Sequence, residues 1–247
     1  MSREATRRPF VLLLHGYSGS GSSLARNFAM PELAERRKFV WASPDGAMDQ
    51  HGARFWNTGP ACCDFDHSGI DHVAALRAIV DEARASPLVD PDRLYIIGYS
   101  NGGFMAQRLA CELTGLAGVA SVAGMAPADV SHCPATPRVL IHVHGDADKF
   151  VHADGGTVLG RGDVARHPSV LEGMTGWAHR VGCDPKLVPL GNLDLEAGLD
   201  GPETRRLGIA GCATRLELWR VAGGEHNIVA SRAAFEQLLN QLMGEAH

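Results

Sequence analysis

An α/β fold with a mostly parallel sheet is predicted by three features of this sequence. Short apolar runs rich in branched residues recur along the chain, helical patterns alternate with them, and three of the runs end in turns that carry Ser, Asp and His. Strands that read as continuous apolar runs suit a sheet covered on both faces. Alternation of such strands with helices is the pattern of an α/β domain.

Strands are expected at Phe10–Leu14, Phe39–Ala42, Leu94–Ile97, Gly118–Val122, Arg138–Val143 and Leu216–Val221. Helices are expected near Ser22–Arg37, Ile70–Ala85, Gly102–Leu113, Ser169–Val181 and Ala230–Met243. In the second helix Val73, Leu76, Ala78, Ile79 and Val80 fall at near-helical spacing. Lys186 to Gly211 is glycine-rich and weakly periodic, and reads as a loop or small hairpin decorating the sheet edge. No internal repeat and no low-complexity tract interrupts the pattern. Residues 1–247 are therefore read as a single α/β domain with a loop-rich insertion near 184–212.

Composition narrows the function classes. The chain has 247 residues, enough for a substantial core, with 45% hydrophobic and 21% charged residues, as in ordinary globular proteins. Its net charge of −5 makes a polyanionic partner such as nucleic acid unexpected. The basic segment Glu35-Arg36-Arg37-Lys38 reads as a solvated helix end. No apolar stretch approaches the ~20 residues of a membrane helix, so no membrane insertion is expected. The run Phe10–Leu14 behind the polar, basic Met1–Arg8 is too short for a signal peptide, which points to the cytoplasm or to a mature form without its leader.

The most informative stretch is Gly98-Tyr99-Ser100-Asn101-Gly102, between the apolar run Leu94–Ile97 and the helical pattern from Phe104 to Leu113. Gly-x-Ser-x-Gly between strand and helix is the nucleophile elbow of α/β-hydrolases. The turn strains the serine backbone, and the flanking glycines let strand and helix pack closely. The serine oxygen then projects at the mouth of a helix whose free N–H groups favour negative charge. A serine hydroxyl needs a base, and this fold supplies its partners in the order Ser, Asp or Glu, His. His144-Gly145-Asp146-Ala147-Asp148 ends the Arg138–Val143 strand, and Gly223-Gly224-Glu225-His226-Asn227 follows the Leu216–Val221 strand. Three strand ends thus deliver nucleophile, acid and base in the required order.

Taken with Leu14-His15-Gly16, Asn57 to Cys63, Val89-Asp90-Pro91-Asp92-Arg93, Val151, Gly155-Gly156 and Trp177 with Cys183, these motifs make a family resemblance. The chain resembles the esterases that include polyhydroxybutyrate depolymerases, feruloyl esterases and acetyl xylan esterases, carbohydrate esterase family 1 and its neighbours. The match runs from Pro9 to the C-terminal helix. It implies an α/β-hydrolase fold and ester hydrolysis without cofactor or metal, on small-molecule or polymer esters. The sequence departs from these relatives in two places. They usually carry a β-hairpin before the first strand seen here, and secreted members often have Trp-Pro-Gly after the histidine where this chain has Asn227-Ile228-Val229. Both departures bear on a polymer substrate more than on the chemistry.

On this reading Ser100 attacks, His226 is the base and Asp148 orients it. The resemblance aligns Asp148 with the acid of His-Gly-x-x-Asp; Asp146, two residues earlier, is the alternative, with turn formation as its other role. The oxyanion donors are expected to be the N–H of Asn101 and the N–H of Tyr17, with Ser18 in reserve. Trp56 and Trp177 are candidate walls for the acyl or alcohol group, or else packing residues. His142 and His144 read as buried structural histidines, and His167 and His179 as surface ones. Asp64, Asp66, His67, Asp71 and His72 read as a solvated loop and helix start rather than a metal site, with Asp71 favouring the first helical turn. The resemblance also implies a Cys183–Cys212 bond. Cys133 is expected to face Cys62 or Cys63, a Cys62–Cys63 bond being the alternative, and Cys111 is expected to be an unpaired core residue. Stable disulfides point to an oxidising compartment, against the missing leader. Two other readings keep the scaffold: acyl transfer to an alcohol other than water, and a non-catalytic binding protein.

Overall fold

The computed structural model describes residues 6–244; residues 1–5 and 245–247 lie outside them. Its framework is an eight-stranded sheet in the order β2-β1-β5-β6-β7-β10-β9-β8. The six strands from β2 to β10 are parallel: β1 (Arg8–Leu14), β2 (Val40–Ala42), β5 (Val89–Tyr99), β6 (Gly118–Val122), β7 (Val139–Gly145) and β10 (Arg215–Val221). All six expected strands form. A separate two-stranded ribbon pairs β3 (Ala47–Met48) with β4 (Arg54–Phe55).

The parallel strands are largely apolar because both faces are covered. Phe10, Leu12 and Leu14 of β1 enter one core, and Val11 and Leu13 enter the other. The same period of two divides Leu94 and Ile96 from Tyr95 and Ile97, and Leu216 and Leu218 from Trp219 and Val221. The first core is closed by α3 (His72–Ala85), α4 (Asn101–Glu112) and α5 (Val170–Arg180). The second is closed by α1 (Gly21–Asn27), α2 (Met30–Arg37) and α6 (Arg232–Met243).

Helix starts follow their caps. Asp71 accepts the Ala74 N–H at 3.0 Å and caps α3, and Ser169 with Glu172 forms a capping box on α5. The single helix expected over Ser22–Arg37 is instead two. Ala29 turns the chain with φ +47°, and Pro31 opens α2. Proline lacks the N–H that a helix interior needs, and suits a first turn. The insertion is more ordered than a loop: β8 (Leu187–Leu193) and β9 (Thr204–Ile209) form an antiparallel hairpin that extends the main sheet beside β10. Glu217 of β10, buried, anchors it by accepting from the Arg206 guanidinium at 3.0 Å and from Trp219 Nε1 at 2.8 Å. Among the described residues no helix is long and apolar enough to cross a membrane.

The cysteines pair as Cys62–Cys63, Cys111–Cys133 and Cys183–Cys212. This corrects the expectation for Cys111 and for the partner of Cys133. Cys111 ends α4 against the returning segment, where Ala135 N–H bonds its carbonyl at 3.0 Å, so Cys133 meets it with a Cα–Cα distance of 4.7 Å. His167 is also corrected: it is buried, with its ring edge-on to Phe104.

Closing loops of 22 and 29 residues should contribute about 3–4 kcal/mol each on the chain-entropy estimate. Non-reducing peptide mapping is expected to recover Cys111–Cys133 and Cys183–Cys212, and reduction to lower the melting temperature; free thiols at these four positions in the folded protein would contradict the pairing. A pH effect is expected as well. His15, His72, His142, His144 and His167 are held below the ordinary histidine value, first of all by burial. Below about pH 6.5 the unfolded chain binds protons that these folded histidines do not, so stability falls as pH drops through that range. Glu196, raised by burial, acts in the opposite sense, one group against five. Melting temperature should therefore fall between pH 7 and pH 5, and a flat or rising profile would contradict the assignment.

Candidate active site

Ser100 sits between β5 and α4 with φ +52° and ψ −118°, outside the regions open to most residues. Such a conformation costs about 1–3 kcal/mol and is held only by surrounding structure. Here that structure is close backbone packing. A Cβ on Gly98 would lie 1.9 Å from the Gly102 carbonyl oxygen, and one on Gly102 would lie 2.3 Å from that of Leu14. The Ser100 N–H donates to Val122 O at 2.8 Å, tying the turn to β6. These contacts leave the Ser100 hydroxyl at the carboxyl edge of the sheet.

His226 lies between Ser100 and Asp148. Its Nε2 is 2.8 Å from Ser100 Oγ and its Nδ1 is 2.7 Å from Asp148 Oδ2. With Nδ1 protonated, the ring donates to Asp148 and can accept the serine proton. The two loops involved are joined by their backbones: Asp146 N–H donates to Val221 O at 3.0 Å and Ala147 N–H to Gly224 O at 2.9 Å. A Cβ on Gly145 would fall 2.2 Å from Gly224 O, so the crossing requires glycine there.

Asp148 is buried, and its Oδ1 accepts the N–H groups of Phe150 at 2.8 Å and Val151 at 2.9 Å. Burial pushes the carboxyl up; the bonds from His226, Val151 and Phe150 together outweigh it and hold it below the ordinary carboxylate value. Asp146 points elsewhere and pairs with Arg220 at the surface. His144, buried beside Asp148, donates to Val151 O at 2.8 Å and shapes the same turn. His142 lies behind it, its Nε2 3.4 Å from His144 Nδ1.

Gly16 passes over Ser100, where a Cβ would come within 3.3 Å of the serine Cβ. Among the described residues the N–H groups of Tyr17 and Asn101 donate no hydrogen bond. The Ser18 N–H is engaged with Arg54 O at 2.9 Å, which removes the reserve candidate. His15 holds this loop: its Nδ1 donates to Gly16 O at 2.7 Å, and its Nε2 accepts the Gly46 N–H at 2.9 Å. Burial keeps this imidazole neutral, below the usual histidine range, as one donor and one acceptor require.

The two tryptophans are not open walls. Trp56 and Trp177 expose only 2% and 1% of their surface. Trp177 Nε1 donates to Gln107 Oε1 at 2.8 Å inside the first core. Trp56 braces the elbow from behind. Its N–H donates to Asn101 Oδ1 at 2.7 Å, Asn101 Nδ2 donates back to its carbonyl at 2.8 Å, and its indole N–H donates to His15 O at 2.9 Å. Neither tryptophan lines the cavity beside Ser100 and His226. The open surface comes from residues that sequence reasoning missed. A cavity of about 310 Å³ beside Ser100 and His226 is lined by Leu24, Asn27, Phe28, Tyr99 and Ile228. On the other flank Phe150, half exposed, packs its ring 5.2 Å from that of His226. These residues belong to no spacing motif, and only their contact with the His226 loop reveals them. A larger cleft of about 700 Å³, lined by Asp129, Arg166, Glu172 and Arg180 among others, shares no wall with this cavity.

The acidic segment expected to be a solvated loop is spent on local bonds. Asp64 accepts from the Ser68 and Gly69 N–H groups, Asp66 accepts from Gln50 N–H, and His72 is buried with Nδ1 accepting from Asn57 N–H. Among the described residues no three His, Cys, Asp or Glu side chains are grouped to hold a metal ion.

Comparison with known proteins agrees with this architecture. The family model for phospholipase/carboxylesterase matches residues 1–159. The chain is 37% identical over 150 residues to NocK of Nocardia uniformis subsp. tsuyamanensis, an esterase by name; the match covers 60% of this chain and 42% of NocK. It is 28% identical over 192 residues to feruloyl esterase B of Piromyces equi, covering 74% and 35%. The chain thus spans less than half the length of the curated relatives it matches. Among solved structures it is similar to an acetyl xylan esterase from Aspergillus awamori, with a TM-score of 0.68, 15% identity and coverage of 99% and 92%. Similarity to Arabidopsis thaliana SOBER1 gives a TM-score of 0.54 at 17% identity, covering 95% and 97%. At such identities these two likenesses speak for the fold: an α/β-hydrolase. The family match extends over more than half of the sequence and includes the elbow: the chain belongs to the phospholipase/carboxylesterase family.

Proposed function

We propose that this protein is a serine esterase that hydrolyses carboxylic esters through an acyl-enzyme. The observation that carries the proposal is His226 within hydrogen-bond distance of both Ser100 and Asp148. Ser100 Oγ attacks the ester carbonyl while His226 Nε2 takes its proton, and the carbonyl oxygen becomes an oxyanion. The N–H groups of Tyr17 and Asn101 donate to that oxygen, each donor worth roughly 3 kcal/mol in the transition state. The tetrahedral intermediate collapses, His226 returns the proton to the leaving alcohol, and the acyl group stays on Ser100. Water, deprotonated by His226, then attacks the acyl carbonyl and releases the acid and free Ser100. Asp148 keeps the imidazole in the tautomer that leaves Nε2 free and stabilises its charged form.

The cavity and the relatives support one substrate class. A space of about 310 Å³ walled by Leu24, Phe28, Tyr99 and Ile228 suits an acyl group of apolar or aromatic character. Feruloyl and acetyl esters fit this description, in keeping with the names of two similar proteins. Hydroxyalkanoate esters remain a member of the same proposal. The test is hydrolysis of p-nitrophenyl acyl esters, methyl ferulate, acetyl xylan and hydroxybutyrate oligomers, with feruloyl or acetyl esters expected to give the highest kcat/KM.

Ser100→Ala and His226→Ala are expected to reduce turnover to below a few per cent of wild type with an unchanged circular dichroism spectrum. Retained turnover in either variant would reassign the triad. Asp148→Asn should cost far more activity than Asp146→Asn, because the amide favours the wrong imidazole tautomer, a change worth about 10⁴-fold in a serine protease. Asp146→Asn removes only a surface pair with Arg220, and the reverse ranking of the two variants would move the acid to Asp146.

A further inference from the structure

The loop that carries His226 ends in a sharp bend at Val229, where φ is +54°. A β-branched residue seldom adopts that conformation, so something must hold it. Val229 is fully buried, beyond the reach of water. Both of its backbone polar groups are held by side chains from distant parts of the chain. Its N–H donates to Glu196 Oε1, and its carbonyl accepts from the Tyr99 hydroxyl at 3.2 Å. Tyr99 directly precedes Ser100. One clamp therefore links the nucleophile strand, the histidine loop and the turn between β8 and β9.

Glu196 is itself fixed in place. Its own N–H and that of Leu195 donate to Glu203 Oε1 at 3.2 and 3.1 Å. The Glu203 carbonyl accepts the Ala222 N–H at 3.1 Å, at the end of β10. Leu195 is buried in the same core cluster as Ile228 and Val229. The hairpin that extends the sheet thus reaches back and grips the loop three residues beyond His226.

We propose that Glu196 is a positioning residue whose carboxylate holds Val229 in its left-handed bend and so keeps the His226 ring between Ser100 and Asp148. The inference rests on the serine-esterase reading above and assigns the β8–β9 hairpin a part in catalysis. It gives Glu196 no contact with substrate. Its effect is on the geometry of the base, and it should appear in kcat more than in KM.

The test uses Glu196→Ala, which removes the acceptor, and Glu196→Gln, which keeps an oxygen that can take the Val229 N–H. The full chain is assayed for kcat and KM on p-nitrophenyl acetate, and for the rate at which a fluorophosphonate labels Ser100. Glu196→Ala is expected to lower kcat and labelling together by about 10- to 100-fold, as small displacements of reacting groups do, with KM within about threefold of wild type. Glu196→Gln should recover most of both rates. A double-mutant cycle gives a second measure. Glycine takes positive φ without strain, so the loss caused by Glu196→Ala should shrink in a Val229→Gly background. Wild-type rates in Glu196→Ala, equal losses in the Ala and Gln variants, or an undiminished loss in the Val229→Gly background would each overturn the proposal. A wild-type protein that neither hydrolyses the ester nor reacts with the fluorophosphonate would overturn the esterase reading itself, and this inference with it.

Discussion

The close backbone crossing around Ser100 is the constraint on which the rest of the site depends. Gly98 and Gly102 approach within distances no side chain would allow, and Leu14 of β1 runs against the first turn of α4. That crossing fixes the direction of the serine hydroxyl and puts the Asn101 N–H beside it. Gly103 and Gly124 continue the contact, since a Cβ on Gly124 would lie 2.3 Å from the Phe104 nitrogen. The strain in Ser100 is sustained because strand, helix and neighbouring strand leave the backbone nowhere else to go.

Around this fixed point the site is assembled in two layers. The inner groups are Ser100, His226 and Asp148 with the N–H groups of Tyr17 and Asn101. Behind them, further groups set orientation by direct bonds: His15 on the Gly16 turn, Trp56 on Asn101, His144 on Val151, Glu196 on Val229. Several buried histidines serve here as hydrogen-bonding groups rather than as bases, which their depressed basicity permits. Among the described residues only His226 has an acid at one ring nitrogen and a hydroxyl at the other.

The sheet's far edge changes what the insertion means. A glycine-rich stretch with weak periodicity reads as decoration, yet β8 and β9 add two antiparallel strands to the framework. Their pairing partner, β10, also carries the histidine loop. The insertion is thus joined to the strand that leads to His226.

What the sequence by itself determined is local. Runs such as Phe10–Leu14 announce buried strands because both sheet faces are covered and call for apolar side chains, and Leu216–Val221 keeps that pattern apart from Glu217 and Arg220. The elbow is legible at Gly98–Gly102 because only glycine tolerates that approach, and the order Ser100, Asp148, His226 is legible because each residue ends a recognisable strand. Pro31 carried the signal for the break at Ala29, though the apolar pattern concealed it. Tertiary structure alone decided the rest. Cys111 looked like a core thiol until the segment returning from β6 brought Cys133 against it. Trp56 and Trp177 looked like binding walls until packing enclosed them. Leu24, Phe28, Tyr99 and Ile228 became one cavity only when three separate segments met. Glu196 found Val229 only across a sheet edge. Such pairings depend on which segments become neighbours, and a period or spacing along the chain holds no record of contacts between residues 22 to 130 positions apart.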